Sequence, residues 1–239
     1  MNIICCAIEN DKPSARKENW FRYYHPIKRY FGAELLIAIS DGPRETVGEY
    51  NRVDIKVMTY ACGSVSLPFD PSMLNIVCFP VKLPARVDGW TYPRYWRSVW
   101  AAMNIGKALG AERVLEIETD AWVYTASMAT RLANHRGFIG APWCSEFTFP
   151  EMMLCCYPRE VFQPVINFIG RKTWSQWSQP QPRPFENEIQ HNFPIDLWYD
   201  TKGGRYCDSE LSRDKRGSPP ADADWSVQDE GITIEKWRA

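Results

Sequence analysis

The sequence lacks a long apolar run. No stretch of its 239 residues approaches the roughly 20 apolar positions that a membrane-spanning helix needs. Met1 and Asn2 lead directly into a short strand-like run, without the basic leader that begins a secretory signal. We therefore expect a soluble, unprocessed, cytoplasmic protein without a membrane span.

The chain also has almost no net charge. It carries 28 Lys and Arg against 29 Asp and Glu, a formal charge of −1, and no long run of one sign. This balance argues against a broad electrostatic surface for nucleic acid or for an anionic membrane. A local basic groove remains compatible with it.

The eight cysteines lack metal-binding spacing. No Cys-x-x-Cys pair and no Cys/His knuckle is present, which disfavours a zinc site and a compact disulfide framework. We interpret the cysteines as small buried thiols of a reducing compartment. They lie at positions 5, 6, 62, 78, 144, 155, 156 and 207.

Glycine-rich phosphate loops are missing as well. Neither the GxGxxG pattern of dinucleotide-binding domains nor the GxxxxGK[ST] pattern of P-loop enzymes occurs. The segment ENDKPSARKEN, which follows the first predicted strand, contains no glycine. Dinucleotide and P-loop enzymes are therefore disfavoured, and a nucleotidyltransferase with a Gly/Arg/Lys-rich loop is a weaker alternative.

Predicted strands and helices alternate along the chain. The clearest helix is PRYWRSVWAAMNIGKALG, with Pro93 in its first turn, an apolar stripe, and Gly110 at its end. A Pro- and Ser-rich excursion over 61–89 predicts loop or a hairpin. The predicted strands are 3–8, 34–40, 53–59, 113–123, 138–142 and 152–157, and the predicted helices are 14–31, 93–110, 127–135, 159–170 with an interruption at Pro164, and one that begins at Pro184.

This alternation predicts an α/β protein with a single domain. A strand–helix–strand order favours a Rossmann-type mixed, mostly parallel sheet flanked by helices. In such sheets ligands bind beyond the carboxyl ends of the strands, where the connecting loops separate. Candidate site residues are therefore sought just after each strand.

One predicted strand carries three acids. The run RVLEIETDAWVYT, residues 113–125, is apolar apart from Glu116, Glu118 and Asp120 at alternate positions, which share one face of a strand. Three like charges on one face repel each other unless a cation lies between them or water surrounds them. A hard divalent cation such as Mg²⁺ prefers oxygen ligands and commonly takes one or two carboxylates. A solvated strand end is the alternative.

The segment GKALGAERVLEIETDAWVY resembles the stretch of GT-A-fold glycosyltransferases in which a helix leads into a strand that ends in the DxD motif. The resemblance implies a metal-dependent glycosyltransferase with a GT-A-like catalytic domain over 1–212. Its nucleotide-binding half would be about 1–125 and its acceptor half 126–212, followed by a C-terminal tail or lid over 213–239.

The resemblance also assigns roles to the acids. Glu118 would approach the ribose, and Asp120 would hold Mn²⁺ or Mg²⁺ on the donor diphosphate, with Glu118 and His191 as further metal ligands. Glu in the first place departs from the family's pattern. The literal DxD at Asp222-Ala223-Asp224 is set aside, because it lies in a polar segment with no strand ahead of it.

Polar residues at neighbouring strand ends would complete the donor site, although each suits a turn as well. The first turn of the helix after Pro93 offers backbone N–H groups and guanidinium forks to phosphate oxygens. The predicted donor-binding residues are Ile8, Glu9, Asn10, Asp41, Arg94, Arg97, Glu118 and Thr119.

The later stretch PRPFENEIQHNFPIDLW offers a catalytic base. Pro184 can begin a helix whose first turns carry Glu186 and Glu188, and Glu188 is favoured because it precedes apolar Ile189. Asp196 is a substitute. The preference of helix starts for acids explains the same residues without any function.

Aromatic side chains stack on sugar rings and also fill cores, and the chain has eleven tryptophans. The predicted acceptor-binding residues are Trp143, Trp174, Trp177 and Trp198. The donor would be a nucleoside-diphosphate sugar, with a UDP-sugar favoured, and retention or inversion stays open. The acceptor would be a glycan, another hydroxyl such as that of a protein, or a modified nucleobase.

A nucleic-acid acceptor would need a basic cleft. The late basic residues available for it are Arg159, Arg171, Lys172 and Arg183, and a glycan is favoured over it. Two functional alternatives remain: a nucleotidyltransferase on a related fold, and a non-catalytic carbohydrate-binding protein that uses the tryptophans alone.

Overall fold

The computed structural model describes most of the chain. The described residues are 1–8, 15–43, 55–59, 69–84, 86–88, 91–146, 148–206, 219–227 and 236–238, without the side chains of 15–17 and 55–59. In chain order they form β1 (Asn2–Ile8), α1 (Ala15–Ile27), a 3₁₀ turn (Lys28–Phe31), β2 (Ala33–Ser40), β3 (Ile55–Thr59), β4 (Leu74–Cys78), α2 (Pro93–Ala108), β5 (Arg113–Ile117), β6 (Ala121–Val123), α3 (Ala126–Asn134), β7 (Ile139–Cys144), β8 (Phe149–Pro150), β9 (Leu154–Pro158), α4 (Arg159–Ile169), α5 (Trp174–Trp177), α6 (Phe185–Asn192), β10 (Ile195–Trp198), β11 (Gly203–Arg205) and β12 (Trp225–Val227).

The centre of the protein is a mixed, mostly parallel sheet. Its strand order is β3-β4-β2-β1-β5-β9-β7-β10, with β8 beside β7. Strand β9 is antiparallel to both of its neighbours, whereas β1 to β5 and the β7–β10 pair run parallel. The predicted α/β class and single-domain architecture are confirmed.

Helices cover both faces of this sheet, because successive strand residues point to opposite sides. Ile4 and Cys6 of β1 belong to the core under α1 and α3. Ile3 and Cys5 belong to the core under α2 and α4. The described cysteines, at 5, 6, 78, 144, 155 and 156, are all buried, as the sequence predicts.

A second, smaller sheet has the order β11-β12-β6. The expected tail or lid therefore supplies a strand, because β12 runs antiparallel to β6 and parallel to β11 with Trp225 fully buried. A Cβ on Gly203 would lie 2.3 Å from the Trp225 ring, so the close approach of β11 requires glycine. Residues 207–218 and 228–235 lie outside the described residues.

Three predicted elements differ from the structure. The described part of 61–89 contains β4 between β2 and β3, instead of only loop or a hairpin. The strand predicted over 113–123 is two strands in different sheets. Helix α4 continues through Pro164, because its buried residues Val161, Phe162 and Val165 pack in the core beneath α2.

The predicted helix that opens at Pro93 is confirmed as α2, and Gly110 follows its end with a φ of 65°. Within the described residues, no helix combines the length and the apolar character that a bilayer crossing requires.

Candidate active site

The chain reverses direction across the sheet between β1 and β5. After β1 it passes through α1 to β2 on one side of β1, and it later returns through α2 to β5 on the other side. The carboxyl ends of β1 and β5 lie together, because the Ala7 N–H donates a hydrogen bond to Glu118 Oε1 at 3.3 Å. Such a reversal point is where open α/β sheets bind ligands.

An acidic turn, Glu118-Thr119-Asp120, follows β5 at this point. The Ala121 N–H closes it on the Glu118 carbonyl at 2.9 Å, and the Glu118 N–H donates to the Met153 carbonyl at 3.0 Å. The predicted strand breaks here because residues 121–123 pair with β12 instead of remaining in the central sheet. Strand alternation therefore does not assign Asp120 to the face of Glu116.

Glu116 lies beneath this turn and is fully buried. It is in register with Cys5 on one side and Cys155 on the other, and its carboxyl interacts with that of Glu118. Burial raises the pKa of the Glu116 carboxyl above its ordinary value. A carboxylate in such a place demands a proton or a cation.

The pKa of the Glu118 carboxyl is raised as well. Burial raises its pKa, the charges of Glu116 and Asp120 raise it further, and the Ala7 amide opposes the rise. Thr119 and Asp120 are half-buried, so the turn opens from the sheet interior toward solvent. The turn thus concentrates negative charge that a proton or a cation must offset.

The residues fit a divalent cation in part. Among the described residues, no three His, Cys, Asp or Glu side chains are grouped to hold a metal, so the predicted set of Glu118, Asp120 and His191 is not assembled. His191 lies exposed in the last turn of α6. Glu118 and Asp120 remain, and two carboxylates are what Mg²⁺ commonly takes when phosphate oxygens and water supply the rest.

Asp41, Arg94 and Arg97 form a separate buried cluster. The Asp41 carboxylate pairs with the Arg97 guanidinium, lies 3.4 Å from Arg94 Nε, and accepts a hydrogen bond from the Leu83 N–H at 3.0 Å. Burial raises the pKa of Asp41, and the Arg97 charge opposes that rise. These three side chains, which the sequence predicts to bind the donor, therefore form ion pairs with one another.

A second buried charge cluster joins distant parts of the chain. Arg205 donates from Nε to Glu151 Oε2 at 2.8 Å and from Nη2 to Glu151 Oε1 at 3.1 Å. Its Nη2 is also 3.6 Å from Glu186 Oε1. Glu151 is fully buried, whereas the Glu186 side chain is 19% exposed.

The start of α6 is connected to the acidic turn through Tyr95. The Phe185 ring contacts the Tyr95 ring at 4.5 Å, and the Tyr95 hydroxyl donates to the Met152 carbonyl at 2.7 Å, next to the residue that holds the Glu118 N–H. Of the two acids predicted on this helix, Glu186 joins the buried cluster. Glu188 is half-buried and accepts a hydrogen bond from Asn192 at 3.4 Å.

Asp196 lies in β10, the last strand of the central sheet. It pairs in register with Gly140 near the start of β7, and its side chain is 55% exposed, 3.6 Å from His135 Nδ1. Through Gly140 and Cys156 it is level with Leu115, the middle of β5, and its carboxylate is next to His135, so it is not part of the acidic turn. Its role as a substitute base stays a prediction.

The predicted tryptophans fall into two classes. Trp177 and Trp198 are core residues, and Trp177 stacks on Trp96 at 4.4 Å, so neither offers an open face. Trp174 is half-buried against Trp100. Trp143 is half-buried and lies 5.3 Å from the ring of Tyr199, which is 67% exposed.

Trp143 lies near the carboxyl end of β7, and Tyr199 follows the carboxyl end of β10. These two strands are parallel to each other. They also point in the same direction as β5, because β9 between β7 and β5 is antiparallel to both. Trp143 is in register with Pro150, the neighbour of Glu151. This aromatic pair therefore lies at the same edge of the sheet as the acidic turn, on the far side of the 149–151 segment.

The remaining predicted residues are distributed as follows. Ile8 is buried at the end of β1, and Glu9 and Asn10 lie outside the described residues. Asp224 accepts hydrogen bonds from Thr125 Oγ1 at 3.0 Å and from the Lys202 N–H at 2.9 Å, so the literal DxD stabilises the second sheet.

Sequence reasoning missed Glu151, Arg205 and Tyr199. Glu151 had a usable signal, because it is a single acid within the apolar run FPEMML, as Glu116 is within its own strand. Arg205 and Tyr199 have no comparable signal. Their relevance arises from contacts across 54 and 56 residues.

No protein family matches this sequence, and no curated protein sequence matches it. The structure is similar to the solved structure of a glycosyltransferase involved in the glycosylation of the major capsid of PBCV-1. The TM-score is 0.48, the identity is 8%, and the match covers 98% of this chain and 96% of that chain. A likeness at this level carries no argument about chemistry.

Proposed function

We propose that this chain is a metal-dependent glycosyltransferase that transfers a sugar from a nucleoside-diphosphate sugar to a hydroxyl acceptor. The observation that carries the proposal is the acidic turn Glu118-Thr119-Asp120, backed by the buried Glu116, at the reversal point of the sheet. Charge concentrated in this way at a ligand-binding edge favours a cationic ligand. The resemblance of the surrounding sequence to the DxD region of GT-A enzymes supports the same function.

Glu118 and Asp120 would hold Mn²⁺ or Mg²⁺ together with the donor diphosphate. The bound cation would offset the negative charge that develops on the departing diphosphate. Ile8 and Thr119 lie at the same edge of the sheet and would contact the nucleoside, for which uridine is the favoured base. Asp41, Arg94 and Arg97 support this site indirectly, since their buried ion pairs fix the 81–83 segment on the first turns of α2.

Glu186 is the proposed base, in preference to Glu188. Burial raises the pKa of Glu186, the charge of Glu151 raises it further, and Arg205 opposes the rise, so this carboxylate is well suited to accept a proton. In the transfer step Glu186 accepts the proton of the acceptor hydroxyl, and the acceptor oxygen forms the bond to the anomeric carbon. The bond from that carbon to the diphosphate oxygen breaks, with its electron pair going to the diphosphate. A single displacement of this kind inverts the anomeric configuration.

The Trp143–Tyr199 pair is the proposed acceptor platform. An exposed tyrosine beside a half-buried tryptophan offers the flat apolar surface on which sugar rings stack. A glycan is favoured over a nucleic acid, because Arg159 of the late basic residues pairs with Glu112 at 2.6 Å near the amino end of β5, away from this edge.

The test is donor turnover in two matched variants. Release of nucleoside diphosphate from UDP-, GDP-, CDP- and ADP-sugars is measured with Mn²⁺, with and without a panel of simple glycosides. Asp120→Asn should lower turnover about a hundredfold or more, because the amide loses the charge that a cation requires. Asp222→Asn, in the surface DxD that pairs with Lys202 at 2.8 Å, is the control and should leave turnover unchanged.

Equal turnover in both variants would contradict the role of the acidic turn. Sugar binding without any turnover would favour the carbohydrate-binding alternative. Transfer of a nucleotidyl group, with release of pyrophosphate, would favour the nucleotidyltransferase alternative.

A further inference from the structure

The cluster of Glu151, Arg205 and Glu186 contains two carboxyl groups and one guanidinium group. Arg205 donates hydrogen bonds to Glu151 from Nε at 2.8 Å and from Nη2 at 3.1 Å. The same Nη2 lies 3.6 Å from Glu186 Oε1. One guanidinium therefore serves two carboxylates, and the cluster retains one negative charge if all three groups are ionised. Glu186 is the less tightly bound partner.

The cluster is tied to the acidic turn through the backbone. The Glu151 N–H donates to the Pro142 carbonyl at 2.8 Å, and Glu151 Oε1 accepts from the Met153 N–H at 3.2 Å. The Met153 carbonyl in turn accepts from the Glu118 N–H at 3.0 Å. Glu151 is thus fixed by the same short segment that supports Glu118.

Arg205 is tied to the acidic turn from the other side. It is in register with Val227 of β12, and Val227 is in register with Ala121, the residue that follows Asp120. The Arg205 guanidinium also lies 4.8 Å from the Phe149 ring, which restricts its position. Two chain segments therefore hold Glu151 and Arg205, and Arg205 contacts the Glu186 carboxylate.

We propose that Glu151 and Arg205 are a positioning pair that fixes the Glu186 carboxylate at the edge of the sugar-donor site. This inference rests on the proposed function, in which Glu186 accepts the acceptor proton. A buried, doubly bonded guanidinium is a rigid anchor, because the planar fork of Arg keeps its geometry. Glu151 neutralises most of the Arg205 charge, so Glu186 is held in place while it retains the ability to accept a proton.

Within the part of the chain that the structure describes, the charged groups that act on Glu186 are Glu151 and Arg205. The Glu151 charge raises the pKa of Glu186 and the Arg205 charge lowers it. Removing one partner should therefore shift the titration of Glu186 in a direction that depends on which partner is removed. A purely structural role for the pair would not predict opposite shifts.

The first experiment follows the titration of Glu186 by ¹³C NMR of carboxyl-labelled protein, with the signal identified by its loss in Glu186→Gln. Glu151→Gln should move the titration to lower pH, and Arg205→Gln should move it to higher pH. Glu188→Gln, two residues further along the same helix, is the control and should not move it. An unchanged titration in both cluster variants would overturn the proposal.

The second experiment measures steady-state transfer. Arg205→Lys keeps the charge but loses the fork, so it should lower kcat about ten- to a hundredfold with the donor KM unchanged. Arg205→Lys also tests the positioning role if Glu151→Gln does not fold. Wild-type kcat in a folded Arg205→Lys protein would overturn the positioning role.

These experiments separate the two levels of the account. A wild-type protein without any sugar transfer would contradict the proposed function, and the NMR titration would still decide whether the pair controls Glu186. A wild-type enzyme with normal transfer but no change in the variants would contradict the positioning pair alone.

Discussion

Replacing Glu116 by Gln should change how stability depends on pH. Glu116 is fully buried between Cys5 and Cys155, beside the Glu118 carboxyl. Burial raises the pKa of Glu116 to about 8 in the folded protein. In the unfolded chain the same carboxyl titrates near its ordinary value of about 4.3.

The sign follows from proton binding. Between about pH 4.3 and the raised folded pKa, the folded state binds one more proton at Glu116 than the unfolded state does. The free energy of unfolding therefore falls as pH rises, by about 1.4 kcal/mol per pH unit for this one group. Glutamine carries no such proton, so between pH 5 and 7 the wild type should lose about 3 kcal/mol relative to Glu116→Gln.

The assay is urea unfolding at half-unit steps from pH 5 to 7, in EDTA and without nucleotide. The buried amide of the variant has its own cost, but this cost does not vary with pH, so only the slope of the difference is diagnostic. Glu112→Gln is the matched control, because the Glu112 side chain is 52% exposed one residue before β5. Parallel stability curves for wild type and Glu116→Gln would refute the argument that Glu116 is buried with a proton.

Three further predictions concern the scaffold and the acceptor. Asp41→Asn should lower the free energy of unfolding by about 3 to 5 kcal/mol in urea titrations, because it leaves the buried Arg97 charge unpaired, and a change under 1 kcal/mol would contradict the buried pair. Gly106→Ala should cost about 1 to 3 kcal/mol, since its Cβ would lie 2.6 Å from Val114 Cγ2, and an unchanged midpoint in the same assay would show that α2 shifts freely over β5. Tyr199→Ala should raise the acceptor KM about tenfold while leaving donor hydrolysis unchanged, and equal acceptor kinetics would remove the aromatic platform.

Local signals in the sequence were sufficient for much of the fold. Pro93 and Gly110 mark the two ends of a helix, because proline suits the first helical turn and glycine adopts the positive φ that follows the last turn. The short apolar runs of β1 and β2 indicated strands that are buried on both faces. These features depend only on residues close together in the chain.

Strand β4 was missed because its signal is not local. Its second residue is Asn75, which is fully buried and whose side chain donates to the Leu36 carbonyl at 3.3 Å and to the Asp70 carbonyl at 2.9 Å. A polar residue within a strand argues against a buried strand unless its partners are known. The carbonyl of Leu36 is 39 residues away in sequence.

The candidate site divides in the same way. The acidic run after β5 was visible because alternate acids in an apolar strand are unusual, but the break at Glu118 depends on pairing with β12, about 100 residues later. The choice between Glu186 and Glu188 depends on Arg205, whose contact with Glu186 belongs to the tertiary structure. A helix start alone supplies equal reasons for both acids.

The most direct test of the central claim is nucleotide binding at the acidic turn. Thermal unfolding of wild type, Asp120→Asn and Asp222→Asn is measured with UDP, GDP, CDP and ADP, each with Mn²⁺ or with EDTA. A ligand at a hundredfold excess over its Kd adds about 2.7 kcal/mol to the stability of the folded state. We expect stabilisation by one nucleotide, UDP first, that requires Mn²⁺, persists in Asp222→Asn and disappears in Asp120→Asn. Stabilisation that is indifferent to the metal or to Asp120, or its absence with every nucleotide, would contradict a metal-bridged donor site at Glu118-Thr119-Asp120.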